Sequence, residues 1–429
     1  MHLTCAGATP TSNSEGRGQT QGKCDKESHK GGSYPPLSLI STCQPCPLHP
    51  STSHLTTYAD DGTVCGSGPK IEPICQQLNT YLDKLNNWFL QRNLFISPSK
   101  SSATIFTTWS NEVGIELPIF IDGKKVPTIK NPTILGVTLD PTLSFKSHLT
   151  KIKSKVNSRT NILKALSGTT WGKDKEILVS TYKAVGQSVL NYCAPVWTPS
   201  LSKASWDELQ PCQNAALRAA LGCVKMTSTD HLHSESKIMP VKDHNEMLSR
   251  QFLLSTQKPN HPNRLDLNHR PDRIMKPTLT TMYAESIKHL VPDGGLDEES
   301  YKAGLKRLHT ECVSMTINNQ AYNNIINAPA PRICPTEEYL PRQTRTTLSQ
   351  LRSGYSTHLK SYMHRIRPDL YQDVCPDCNR GPHDTAHLFT CPAKPTDLDP
   401  WSLWEDPARA AIFLGLRTGG EMDELDDND

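Results

Sequence analysis

Apolar and polar positions alternate along two short runs, His54–Tyr58 (HLTTY) and Gly62–Gly66 (GTVCG). They predict two strand arms of a hairpin whose turn carries the adjacent carboxylates Asp60 and Asp61. The period then changes. Ile74, Leu78, Leu82, Leu85 and Phe89 recur at three-to-four spacing, the stripe of an amphipathic helix. Strand-like runs follow: SSATIFTTW from Ser101, LPIFIDG from Leu117 and KKVPTI from Lys124, with Asp122-Gly123 as a hairpin turn. TILGVTLD, from Thr133 to Asp140, reads as one nearly continuous apolar strand. From Ser147 to Cys223 the pattern is helical throughout. One helix carries a basic run. A second, Asp174–Trp197, places Leu178, Tyr182, Val185, Val189 and Tyr192 on its apolar face, and a third ends at Gly222. Residues 258–282 are polar and bear Pro and His, as a linker does, before a helical piece around Glu298–Met315. The first 50 residues show neither period and read as disorder. The segments are therefore 1–50, 51–145, 146–257, 258–340, 341–418 and an acidic tail at 419–429, and the class is α+β.

Bulk composition changes this picture little. The 429 residues carry 46 basic and 43 acidic side chains, so the chain as a whole is not a polycation. Local patches carry any argument about polyanions. Phe145–Leu166 holds six basic residues and no acid, whereas Gly419–Asp429 holds six acids and no base. An apolar content of 36% with 33 prolines predicts real cores joined by extended links. No apolar run is long enough to span a bilayer, and no charged-then-apolar signal pattern opens the chain. The expectation is an intracellular, reducing location, cytoplasm or nucleus, with no membrane partner. The 14 cysteines then read as thiols or metal ligands rather than as a disulfide framework.

Three groups of residues carry candidate chemistry. Asp60 and Asp61 on a rigid hairpin offer the oxygen ligands that Mg²⁺ requires, and paired Mg²⁺ ions hold the attacking and leaving oxygens in nucleotidyl transfer. An Asp-Asp turn is equally ordinary turn chemistry. Cys375, Cys378, His387 and Cys391 lie within 17 residues at a spacing that encloses one tetrahedral Zn²⁺, with His383 as the rival for the third position. Cys43, Cys46 and His49 resemble part of another such site but lack a fourth ligand nearby. Lys151, Lys153, Lys155 and Arg159 line one helical run, and Arg342, Arg345, Arg352, Lys360, Arg365 and Arg367 spread along another. Each run is either a solvated face or a set of contacts to a nucleic-acid backbone.

The order of these pieces is more specific than any one of them. A Tyr-Ala-Asp-Asp hairpin is followed by an amphipathic helix with Trp88, then SPSKS at Ser97–Ser101, ILGVTLDPTLSFKSHL at Ile134–Leu149, and LSGTTWG at Leu166–Gly172. This set resembles the reverse transcriptase of jockey-like non-LTR retrotransposons, from about His54 through the Cys/His segment. AHLFTCP at Ala386–Pro392 looks like the zinc element of the same proteins. Ser97 departs from the Asn usual there. The resemblance implies a partial right-hand palm over 51–145 and a helical thumb over 146–257. A linker with a helical piece spans 258–340, and a basic helix with a zinc element spans 341–418. It also implies Asp60 and Asp61 as catalytic magnesium ligands, Lys100 in the palm, LGVTLD as the strand gripping the primer end, and Lys151, Lys153, Lys155 and Arg159 on nucleic acid, where Arg352 is expected too from the basic run it belongs to. The implied partners are an RNA template, a DNA primer or target DNA, and dNTPs.

A two-metal centre needs a further carboxylate from a separate strand. The acids before Asp60 are Glu15, Asp25 and Glu27, none on a strand-like run. Cys24–Pro50, back-translated and read one base earlier, is compatible with a glycine-rich peptide of the palm type, QGGVLSPxLFN. Residues from about 24 to 50 are therefore expected to be palm sequence read out of frame, which the coding DNA tests. The expected function is that of a truncated RNA-directed DNA polymerase, inactive as written. The alternative is a non-catalytic nucleic-acid-binding fragment or a retrotransposon remnant.

Overall fold

The computed structural model describes residues 2–5, 53–58, 61–168, 172–259, 261, 264–268, 276–292 and 295–418. The chain is α+β and divides into two compact units, Met1–His148 and Leu149–Asp429.

The first unit is built on a four-stranded antiparallel sheet of order β2-β3-β1-β4. The strands are β1 (His2–Cys5), β2 (Ser53–Tyr58), β3 (Asp61–Gly66) and β4 (Ser102–Thr104). Helix α1 (Ile71–Leu90) packs on it. The predicted stripe faces inward: Leu78, Leu82 and Leu85 are buried with Val64, Ala103, Leu117, Ile119 and Ile121, while Ile74 and Phe89 cover the edge. Each fully buried Leu contributes about 1.5–3 kcal/mol of transfer free energy. His2–Cys5, in a stretch without strand period, is held by backbone pairing: Leu3 lies opposite Val64 on one side and Ala103 on the other. A strand of four residues is too short for side-chain alternation to announce it. The rest of residues 1–50, including Cys43, Cys46 and His49, lies outside the described residues.

Two tight hairpins complete this unit. Strands β5 (Phe120–Ile121) and β6 (Lys124–Lys125) meet at the predicted Asp122-Gly123 turn, where both residues have positive φ. TILGVTLD is not one strand. It folds into β7 (Thr133–Ile134) and β8 (Val137–Thr138) about Leu135 (φ 45°) and Gly136 (φ 82°). Gly136 is the physical reason for the difference, because a turn with positive φ at both central residues takes glycine readily. Just beyond, the Asp140 carboxylate accepts from the Thr142 amide and hydroxyl and from the amides of Ser144 and Phe145.

The second unit is helical. Its helices are α2 (Lys146–Leu166, which begins before the boundary), α3 (Lys175–Tyr182), α4 (Lys203–Leu221), α5 (Thr229–Ser236) and α6 (Val241–Ser255). They continue with α7 (Leu279–Ile287), α8 (Glu298–Asn318), α9 (Arg342–Arg352), α10 (Lys360–Ile366), α11 (Thr385–Thr390) and α12 (Pro407–Phe413). Helix α4 starts on the Ser202 side-chain cap and stops at Gly222 in the left-handed region, as its sequence predicts.

The predicted single helix over Asp174–Trp197 is broken. A π turn at Lys183–Gln187 inserts an extra residue, and Cys193 adopts positive φ. The buried face is therefore Leu178, Tyr182, Gly186, Leu190 and Ala194, slipped by one from the expected Val185 and Val189 and by two from Tyr192. Gly186 permits the slip, since a Cβ there would sit 2.8 Å from the Tyr182 ring. The helical piece expected around Glu298–Met315 is α8, and α7 precedes it, beginning at Leu279 inside the stretch read as a linker. Tyr283, Ile287 and Leu308 pack against Leu253 and Leu254 of α6 in one apolar cluster, which offsets the cost of ordering them. A separate cluster joins Leu348 and Leu351 of α9 to Leu359, Phe389 and Trp404.

Candidate functional site

Tyr58 pairs with Asp61 across β2 and β3, so the two arms are joined by Ala59 and Asp60, which lie outside the described residues. Asp61 opens β3, is half-buried, and lines a cavity of about 600 Å³. The cavity gathers pieces that are distant in sequence: Tyr58 and Asp61 from the hairpin, Lys100 from the SPSK turn, and Ile134 and Leu135 from the β7–β8 tip. The Ser97 carbonyl fixes the SPSK turn, accepting from the amides of Lys100 and Ser101 and from the Ser101 hydroxyl. That leaves the exposed Lys100 side chain on the rim. Leu135 holds a left-handed backbone that costs a non-glycine residue about 1–2 kcal/mol. The tip thus carries an exposed apolar side chain at some expense. Among the described residues lining this cavity, Asp61 is the single carboxylate and Lys100 the single cation.

A second site stands in the other unit. Cys375, Cys378, His387 and Cys391 bring one ligand atom each to within 4.8 Å of one another. The Cys375 and Cys391 sulfurs are 3.8 Å apart, and Cys378 Sγ is 3.3 Å from His387 Nε2. A tetrahedral zinc with Zn–S of about 2.3 Å separates two sulfurs by about 3.8 Å, so the donor set fits that ion. Local backbone builds the cluster. Asp384 caps α11 by accepting from the His387 amide, and Cys375 exchanges backbone hydrogen bonds with Asn379 and Arg380 to close the Cys-x-x-Cys turn. Burial opposes ionisation of Cys375, but the amides of Cys378 and Asp377 outweigh it and draw the thiol down to about 7. His383 is not a ligand in this arrangement. Its Nδ1 accepts from the Lys360 amide at 3.0 Å, and its ring packs beside that of His387.

The basic runs divide. On α2, Ile152, Val156 and Leu163 face the core, and Lys151, Lys155 and Arg159 are exposed. Lys153 is paired to Glu208 at 2.8 Å, and Arg159 donates to the Val185 carbonyl. The α9 run turns inward, and this corrects the expectation for Arg352. Arg352 is fully buried, donating to Glu235, Glu337 and the Leu403 carbonyl. Lys175 completes the group, 3.1 Å from Glu235 and 2.8 Å from Glu337. Arg345 is paired to Glu176, and Arg342 donates to the carbonyls of Ser167, Gly168 and Ala220. A guanidinium spent on buried carboxylates cannot reach a phosphate. Of the candidates along this run, Arg365 and Arg367 are exposed. Nothing in the local pattern marks Glu235, within TDHLHSES, or Glu337, within PTEEY, as buried partners.

No family model matches the chain. A probable RNA-directed DNA polymerase from transposon BS of Drosophila melanogaster is 24% identical over 217 residues, 48% of this chain and 23% of the relative. The curated homologues of the chain are RNA-directed DNA polymerases of jockey-like and other non-LTR transposons, at low identity over about half of its length. The probable polymerase from transposon X-element is 24% identical over 44% of this chain and 21% of its own length. The polymerase from mobile element jockey of the same fly is 23% identical over 49% of this chain and 22% of its own. The chain thus covers less than a quarter of the length of these transposon polymerases. Among the described residues no helix is long and apolar enough to cross a membrane.

Proposed function

We propose that the chain is the palm-to-zinc portion of an RNA-directed DNA polymerase of a non-LTR retrotransposon, acting on an RNA template and a DNA primer. The observation that carries this reading is the cavity at which Asp61, Lys100 and the Leu135 tip converge from three separate motifs. In this reading Asp60 and Asp61 hold Mg²⁺, which opposes the charge that develops as a primer 3′-hydroxyl attacks a dNTP. Lys100 lies where a nucleotide phosphate carries negative charge. The Leu135 tip packs on the primer end, and the exposed cations of α2, Lys151 and Lys155, contact backbone phosphates, with Lys153 and Arg159 beside them. Cys375, Cys378, His387 and Cys391 hold a structural Zn²⁺ that orders their segment. The test is primer extension on an RNA template with Mg²⁺. Extension that disappears in Asp60→Ala supports a working polymerase.

One observation favours a second reading, a non-catalytic nucleic-acid-binding fragment. Among the described residues Asp61 alone offers a carboxylate to the cavity, and a two-metal centre needs more oxygen ligands than that. Steeply salt-dependent RNA binding without extension is the result that selects it.

A further inference from the structure

A second large cavity, about 470 Å³, lies between the C-terminal end of α8, the 319–330 loop, the start of α5 and the end of α9. Its volume falls in the usual range for sites that hold a small ligand. The loop that forms one wall is pinned by a single side chain. Asn323 donates from Nδ2 to the Arg352 carbonyl at 2.9 Å and accepts the Ile325 amide at 2.9 Å, and its own amide donates to Ala328. The wall is therefore preorganised rather than collapsed.

The lining is neutral and hydrogen-bonding rather than cationic. Gln320 and Asn324 line it with amides and the largely exposed Tyr322 with its ring, whereas the Tyr355 ring is engaged by Tyr362 and Arg365. Asp230 presents a carboxylate that accepts a long hydrogen bond, 3.4 Å, from the Ala321 amide. His231 is buried in the wall, and its Nε2 has no hydrogen-bond partner among the described residues. Arg352 also borders the cavity, but its guanidinium is spent on Glu235, Glu337 and Leu403. A phosphate would meet one carboxylate and no available cation. A planar, uncharged, hydrogen-bonding ring meets the Tyr322 ring, two amides and one carboxylate.

We infer that this cavity takes one unstacked, amino-bearing nucleobase, cytosine, adenine or guanine, from a single-stranded nucleic acid. The inference rests on the nucleic-acid reading above and adds a base-selective site to it. Tyr322 supplies the stacking face. The Asp230 carboxylate accepts from the exocyclic amino group; the amides of Gln320 and Asn324 donate to the neighbouring ring nitrogen of cytosine or adenine, whereas guanine gives the carboxylate a second N–H. Thymine and uracil fit worse, because their single ring N–H is flanked by two carbonyl oxygens that a carboxylate repels.

The test uses the full chain and fluorescein-labelled oligo(dC), oligo(dA) and oligo(dT) of equal length, read by anisotropy at fixed salt. Oligo(dC) and oligo(dA) are expected to bind about tenfold more tightly than oligo(dT). Asp230→Asn is expected to remove that gap, and Tyr322→Ala to weaken the two preferred oligonucleotides about tenfold. Tyr322 is exposed, so its truncation leaves the core intact. Equal binding of all three by the unmodified chain, or a gap that both variants retain, overturns the site while leaving general nucleic-acid binding in place. Failure of every oligonucleotide to bind overturns both.

Discussion

Replacing Arg352 by Met tests whether this arginine is a structural ion-pair hub or a nucleic-acid contact. The guanidinium is fully buried and serves two carboxylates that are themselves buried, Glu235 and Glu337, with Lys175 as the remaining cation. Removing it leaves two carboxylates facing one ammonium, out of reach of water. Breaking a buried pair in this way costs about 3–5 kcal/mol. In a helical unit of this size that lowers the melting temperature by roughly 6–20 °C. The assay is thermal unfolding followed by far-UV circular dichroism, with Arg352→Met/Glu235→Leu as a comparison. The double variant should be less destabilised than the sum of the two single changes, because it removes a charge that the first change stranded. Acid adds a second arm. Burial opposes ionisation of Glu235, but Lys175 and Arg352 outweigh it and hold its carboxyl well below the ordinary 4.5. Its stabilising contribution is therefore fully present above that ordinary value and is lost as the pH falls through the lower folded value. Where Arg352→Met remains folded, the salt slope of RNA binding should not change. An unaltered melting temperature together with a shallower salt slope refutes the hub and restores Arg352 to the nucleic acid.

Three further outcomes are expected. Loading with Co²⁺ should give thiolate charge-transfer absorption that is abolished by Cys391→Ala and retained in His383→Ala, since His383 is spent on the Lys360 amide. Asp140→Ala should cost the first unit about 2–3 kcal/mol by urea titration, because it deprives the Thr142, Ser144 and Phe145 amides of their acceptor. Burial works against the Asp140 carboxylate, but the Ser144 amide and its neighbours hold it below its ordinary value, so this contribution should also fade in acid. Gly222→Ala should destabilise the second unit by about 1–3 kcal/mol in the same titration. Its φ is 72°, and an added Cβ would lie 2.5 Å from the Thr346 methyl.

What could be read in the sequence was what a local period or a local spacing encodes. The Leu78, Leu82 and Leu85 stripe, the Asp122-Gly123 turn and the Gly222 stop all act over a few residues, and all stand where expected. The Cys/His spacing is equally local, and the four side chains converge. The errors lie where a distant partner decides. The π turn at Lys183–Gln187 slips a helix face by one residue because Gly186 admits the Tyr182 ring, and periodicity counted from Leu178 cannot register that. The start of α7, Leu279–Met282, looked like a link because the core of that helix is supplied in part by α6. His2–Cys5 became a strand because β3 and β4 leave a place between them.

The inward arginines were partly legible all the same. Arg345, Leu348 and Arg352 recur at three- and four-residue spacing, so they share one face of α9 with the residue that anchors the core. On α2, however, the exposed Lys155 stands three residues from the buried Ile152 and the exposed Arg159 three from the buried Val156, so spacing alone does not decide which cations turn inward. The presence of buried acceptors, not the number of cations, separates the two runs. The price of an inward arginine is an acid buried with it, and Glu235 and Glu337, more than a hundred residues apart in the chain, meet that requirement.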